Sequence, residues 1–169
     1  MWCPERKGIR VEKNKIAAIQ MVSTGDVPEN LKMAEKLIAS AAQKGASLVL
    51  LPENFAVFSA KKMRIWAEKE SSEQCFSNFL SSMAKTYKLW VVGGTVPLLP
   101  PVEDGDTDVL AGKVRTSTLV YDALGQLAGR YDKIHLFDVQ VQDNQGRYCE
   151  SETIDAGTKA VVVETPFGK

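Results

Sequence analysis

Short apolar runs alternate with amphipathic stretches along the first hundred residues. Lys15 to Val22 (KIAAIQMV) is apolar and short, and reads as a buried strand. Asp26 followed by Glu29 is a capping-box pattern, and Pro28 falls in the first turn of the helix it starts. Leu31, Ala34, Leu37, Ile38 and Ala41 recur at helical spacing until Gly45 stops the helix. Ser47 to Leu51 (SLVLL) reads as a second buried strand, ended by Pro52. Two helical stretches follow, near 60–69 and 72–87. The second carries Phe76, Phe79, Leu80, Met83 and Ala84 on one face. Leu89 to Val96 (LWVVGGTV) is a third strand.

Beyond it the pattern changes. A Pro-, Asp- and Gly-rich loop runs from Pro97 to Lys113. Val114 to Tyr121 alternates as a half-buried strand, and Gln126 to Lys133 returns as its hairpin partner. A polar loop is expected from Val139 to Lys159, then a strand from Ala160 to Thr165 and a turn at Pro166 to Lys169. The order β-α-β-α-α-β-β-β-β predicts an α/β fold with a later antiparallel portion.

Candidate chemistry sits at the ends of these elements. Glu53 lies just past a buried strand, where ligand sites of α/β sheets gather. A carboxylate partly desolvated there is suited to general-base work, against the plainer reading of a solvated loop residue. Lys133 shares one strand face with Tyr131 and His135 by alternation. An inward ammonium stabilises a developing oxyanion, whereas an edge-strand lysine merely blocks aggregation. His135 is the sole histidine, so His-x-x-x-His motifs and multi-histidine zinc sites are excluded. A Cys149/His135 nucleophilic pair is a further reading.

The Gly93-Gly94-Thr95 strand end would let backbone approach a substrate, and no phosphate loop is present. Asp104, Asp106 and Asp108 resemble a calcium loop, but Val109 and Arg115 stand where Gly and Glu are required. Cys75 reads as a small buried hydrophobe.

Composition narrows the class. The 169 residues carry 21 Lys+Arg and 21 Asp+Glu, a formal net charge of zero, which removes any global pull toward nucleic acid or anionic membrane. No apolar run approaches the roughly 20 residues of a membrane span. The three cysteines, Cys3, Cys75 and Cys149, form no CxxC pair, which argues for reduced thiols, a cytoplasmic setting and no metal site. Residues 1–14 read as a basic N-terminal extension without a signal peptide's apolar region.

Taken jointly, three segments resemble the nitrilase superfamily of carbon–nitrogen hydrolases over residues 15–169. LVLLPENF is similar to the family's catalytic-glutamate motif, with Glu53 at the glutamate. GRYDKIHLFD is similar to its catalytic-lysine motif, with Lys133 at the lysine. GRYCESETIDAG resembles the segment with a second, positioning glutamate, which maps to Glu150. The KIHLFD version looks most like Nit-type amidases acting on ω-amides. The resemblance implies an αββα sandwich, a small-molecule amide substrate, no cofactor, and a homo-oligomer in the complete protein. It also implies a cysteine nucleophile on the strand after a PFGK-type turn. Lys169 stands within that turn, and no cysteine upstream matches. The expectation is an incomplete sandwich with exposed apolar sheet surface and little activity by itself. The alternative is a non-catalytic form that pairs with full-length subunits.

Overall fold

The computed structural model describes residues 14–101, 112–140 and 147–169. Residues 1–13 of the basic extension, Cys3 among them, and the Asp104, Asp106 and Asp108 loop lie outside the described residues.

The early pattern becomes structure much as its periodicity dictates. β1 (Ile16–Ala18) leads to α1 (Val27–Gln43). Asp26 caps that helix by accepting the Glu29 amide at 3.2 Å, and Gly45, at φ +80°, turns the chain out of it. β2 (Leu48–Leu50) lies parallel to β1, and β3 (Trp90–Val92) parallel to β2. Between them run α2 (Ala60–Glu73) and α3 (Cys75–Tyr87). The helix break comes at Gln74, later than the expected 70–71. The buried Glu70 carboxylate accepts the amides of Phe76 at 2.6 Å and Ser77 at 3.0 Å. It thereby caps α3 from inside α2.

The expected third strand is two. Gly93 and Gly94 separate β3 from β4 (Val96–Leu98), and both pair with β5 (Arg115–Tyr121). β6 (Leu127–Asp132) closes the hairpin on the far side of β5. The result is a six-stranded mixed sheet. Val49, Val91, Leu119 and Tyr121 point to one face. There they pack with Ala34 and Ile38 of α1 and Phe76, Leu80 and Ala84 of α3 in one buried core. Ile16, Leu48, Leu50, Trp90, Val92 and Val120 alternate to the other face. Ile16 and Leu50 there remain 62% and 43% exposed, the apolar sheet surface the sequence led us to expect.

Three expectations are corrected. The segment 139–159 is not all loop. β7 (Asp138–Gln140) and β8 (Arg147–Cys149) form a separate two-stranded ribbon, followed by a 3-10 turn at Glu150–Glu152. Ala160 to Thr165 forms no ladder with any strand among the described residues. Val162 stays 74% exposed, and Val163 packs over Gly129. The turn at its end does form, with Thr165 and Gly168 exchanging backbone hydrogen bonds. Finally, the shared face of Tyr131, Lys133 and His135 ends early. β6 stops at Asp132, and His135 is exposed at a bend.

Candidate active site

Glu53 leaves the sheet at the end of β2, on a turn anchored from below. Phe55, Ala56 and Val57 are each fully buried directly after it. Asn30, buried on α1, donates to the carbonyls of Thr24 at 2.8 Å and Ala56 at 2.9 Å and accepts the Thr24 amide at 3.1 Å. Ser23 donates to the Phe55 carbonyl at 3.0 Å. Asn54, at φ +53°, donates its amide to the Thr95 hydroxyl at 2.8 Å. Nearly every hydrogen-bonding group of asparagine 30 is thus used to tie two loops together, which raises the cost of moving either.

The two glycines serve different neighbours: a Cβ at Gly93 would meet Leu80 of α3 and the Leu119 carbonyl oxygen of β5, whereas Gly94 abuts the glutamate turn. At Gly94 the chain takes φ +52°, and a Cβ there would lie 2.0 Å from the Pro52 carbonyl oxygen. The close backbone approach at Gly94 is an approach to the exit of β2 and the glutamate turn.

Lys133 follows β6 directly. Its amide donates to the Thr116 carbonyl at 3.0 Å and its carbonyl accepts from Gly157 at 2.8 Å. So fixed, its Nζ lies 2.8 Å from Glu53 Oε1 and 2.9 Å from Glu150 Oε2. The lysine is not an edge-strand charge facing water. Glu150 Oε2 also accepts the Phe137 amide at 2.8 Å. The fold thus joins all three motif residues, across 80 positions in one case.

Burial pushes the Lys133 ammonium toward neutrality, but hydrogen bonds to Glu150 and Glu53 outweigh it, and the pKa stands above the ordinary 10.5. Lys133 is a fixed cation at neutral pH. It can donate to an oxygen that gains charge but cannot act as a base. The expected desolvation of Glu53 is not found. Its side chain is 55% exposed, because it projects from the rim of the sheet with Lys133 as its ionic partner. Beside Glu150 opens a cavity of about 350 Å³ lined in part by Asn54, Phe58, Met63, Phe137 and Cys149.

Neither cysteine among the described residues pairs with Glu53 or Lys133. Cys75 packs against the core, and burial together with the Glu70 carboxylate pushes its thiol up to about 11, so it is no ready thiolate. Cys149 lines the cavity with its Sγ 3.4 Å from Ser151 Oγ. Among the described residues no hydrogen bond joins it to His135, which leaves the Cys149/His135 pair without support. The described residues also contain no group of three or more metal-ligating side chains that could hold a metal ion. No helix of the described residues is long and apolar enough to cross a membrane.

Behind Lys133 lies Asp132, which motif reading passed over. Burial raises its pKa, but hydrogen bonds from Arg130, Ser117 and Arg115 outweigh this and hold it below the ordinary carboxylate range. A depressed carboxyl stabilises the fold above its unfolded pKa, and that contribution is lost as pH falls through the lower folded value. The urea midpoint should therefore drop steeply below about pH 4. Asp132→Asn should start lower at neutral pH and lose less on the acid side. Parallel acid limbs for the two proteins would contradict this assignment.

The site's partners in other proteins are now informative. The family model described as carbon-nitrogen hydrolase matches residues 15–169. A deaminated glutathione amidase of Yersinia enterocolitica is 34% identical over 91% of this chain and 51% of its own length. An omega-amidase of Xenopus tropicalis is 37% identical over 93% and 52%. The chain spans about half the length of the curated relatives it matches. Among solved structures, the C. elegans NitFhit protein superposes with a TM-score of 0.71 at 27% identity, covering 91% of this chain and 36% of that one. Saccharomyces cerevisiae Nit3, of the nitrilase superfamily, gives 0.67 at 28%, covering 86% and 49%. The match over residues 15–169 places this chain in the carbon-nitrogen hydrolase family.

Proposed function

We propose that these residues serve a hydrolase that cleaves the ω-amide of a small carboxylic acid, of the deaminated-glutathione or α-keto-acid type. The observation that carries this reading is the Lys133 ammonium held at 2.8 and 2.9 Å between two carboxylates, with a cavity beside them. A cysteine thiolate attacks the amide carbon and the carbonyl oxygen becomes an oxyanion. Lys133 is placed to stabilise that charge. Glu53, open to solvent on one side, takes the thiol proton, passes it to the departing ammonia, and later activates water against the thioester. Glu150 keeps Lys133 and the substrate in register. The nucleophile in this reading is the cysteine that the family resemblance implies on a strand after the PFGK-type turn; of the described cysteines, Cys75 is packed against the core with its thiol pushed up to about 11, and Cys149 ends β8. The complete protein is then a cytoplasmic homo-oligomer.

The test is made on the native protein captured from its cells. Incubation with the monoamide of a keto dicarboxylic acid should release ammonia. Mass spectrometry after acid quenching should find the acyl group on a cysteine other than Cys3, Cys75 or Cys149. An acyl group on Cys149, or no ammonia at all, overturns the proposal. The exposed Ile16 and Leu50 favour one competing reading, a non-catalytic chain paired with a full-length subunit. It predicts a mass matching 169 residues, copurified with a longer homologous chain.

A further inference from the structure

The two halves of the charge triad come from separate structural units. Lys133 directly follows β6 of the main sheet, and Glu150 follows the β7–β8 ribbon, which among the described residues shares no ladder with that sheet. An isolated two-stranded ribbon is marginal in water. Something must fix its register against β6 if Lys133 is to meet Glu150 at hydrogen-bond distance.

The structure assigns that task to Arg115. Its Nε donates to Asp155 Oδ2 at 2.8 Å, and its Nη1 donates to Asp132 Oδ2 at 3.1 Å. Asp132 immediately precedes Lys133. Asp155 follows Glu150 by one short turn. One guanidinium therefore grips both segments, and its planar fork suits a geometric clamp better than an ammonium would. All three side chains are at least 80% covered, at 18%, 16% and 20% exposure. Ser117 Oγ at 2.6 Å and Arg130 Nε at 2.8 Å complete the shell of Asp132.

The backbone is bonded along the same seam. Val114 donates to the Thr153 carbonyl at 3.0 Å, Asp155 donates to the Val114 carbonyl at 2.8 Å, and Gly157 donates to the Lys133 carbonyl at 2.8 Å. Gly157 is pressed so close that a Cβ would fall 2.3 Å from the Asp132 carbonyl oxygen. The two guanidiniums and two carboxylates of the network sum to zero charge. The network adds no net charge to the site, and the role assigned to it is placement. None of its members is a catalytic residue. Arg115, Asp132 and Asp155 are positioning residues, and their catalytic consequence rests on the amidase reading given above.

The test uses the full chain, isotope-labelled, and reads hydrogen exchange residue by residue. The Phe137 amide, which donates to Glu150, is the reporter. In Asp155→Ala its exchange should quicken roughly tenfold, while the core amides of Val49 and Val91 keep their wild-type rates. Asp155→Asn retains an oxygen acceptor for Arg115 and should restore slow exchange. Arg115→Met should match Asp155→Ala. If Arg115→Met fails to fold, Asp155→Ala still carries the test, since it leaves the Arg115–Asp132 pair intact. Unchanged exchange at Phe137 would overturn the inference. So would a uniform quickening at Val49 and Val91, which would make the network a general stabiliser. A native protein that releases no ammonia would defeat the amidase reading and leave this exchange result standing.

Discussion

Lys133→Met is expected to cut kcat/KM for amide hydrolysis by the native protein roughly a thousandfold, equivalent to about 4 kcal/mol of lost transition-state stabilisation. Methionine keeps the unbranched stem as far as Cε and discards the charged ammonium. Two consequences follow together. The developing oxyanion loses its cation, and Glu53 and Glu150 lose the ammonium that both contact at under 3 Å. The loss should fall on kcat, because Lys133 acts on charge that appears only in the transition state. A variant within threefold of wild type, or one changed in KM alone, would remove Lys133 from the proposed chemistry.

Gly94→Ala is expected to destabilise the fold by more than about 3 kcal/mol, and to do so at the site's own foundation. Two costs add. A left-handed φ of +52° penalises any Cβ by roughly 1–2 kcal/mol. The new methyl would also meet the Pro52 carbonyl oxygen at 2.0 Å and the Leu51 carbonyl oxygen at 2.9 Å. These are backbone atoms at the exit of β2, not the yielding tip of a side chain. The strand end or the glutamate turn must move, and Thr95, which holds Asn54, moves with it. Urea unfolding measures the loss, and a shift worth less than about 1 kcal/mol would show that the turn yields more easily than its packing implies.

Much of this architecture was legible before any coordinates. The capping residues Asp26 and Glu29, the stop at Gly45 and the apolar run SLVLL act over a few residues, so local pattern carries them. Glu53, Lys133 and Glu150 were legible for another reason, the resemblance of their short motifs to a family. Local pattern misled wherever an element depended on a distant partner. The segment Ala160 to Thr165 is as apolar as a strand but forms none, since a strand needs a neighbour's backbone as well as its own composition. The ribbon of β7 and β8 hid inside a polar stretch for the converse reason.

The sequence by itself determined the local elements and the identities of the three charged residues. Only the tertiary structure decided that Lys133 stands between two carboxylates, that Gly94 accommodates the glutamate turn, and that Arg115 bridges Asp132 and Asp155. These are contacts between positions 17 to 80 residues apart. Helical and strand periodicity reports which face of an element is buried, and is silent on which distant side chain it meets there.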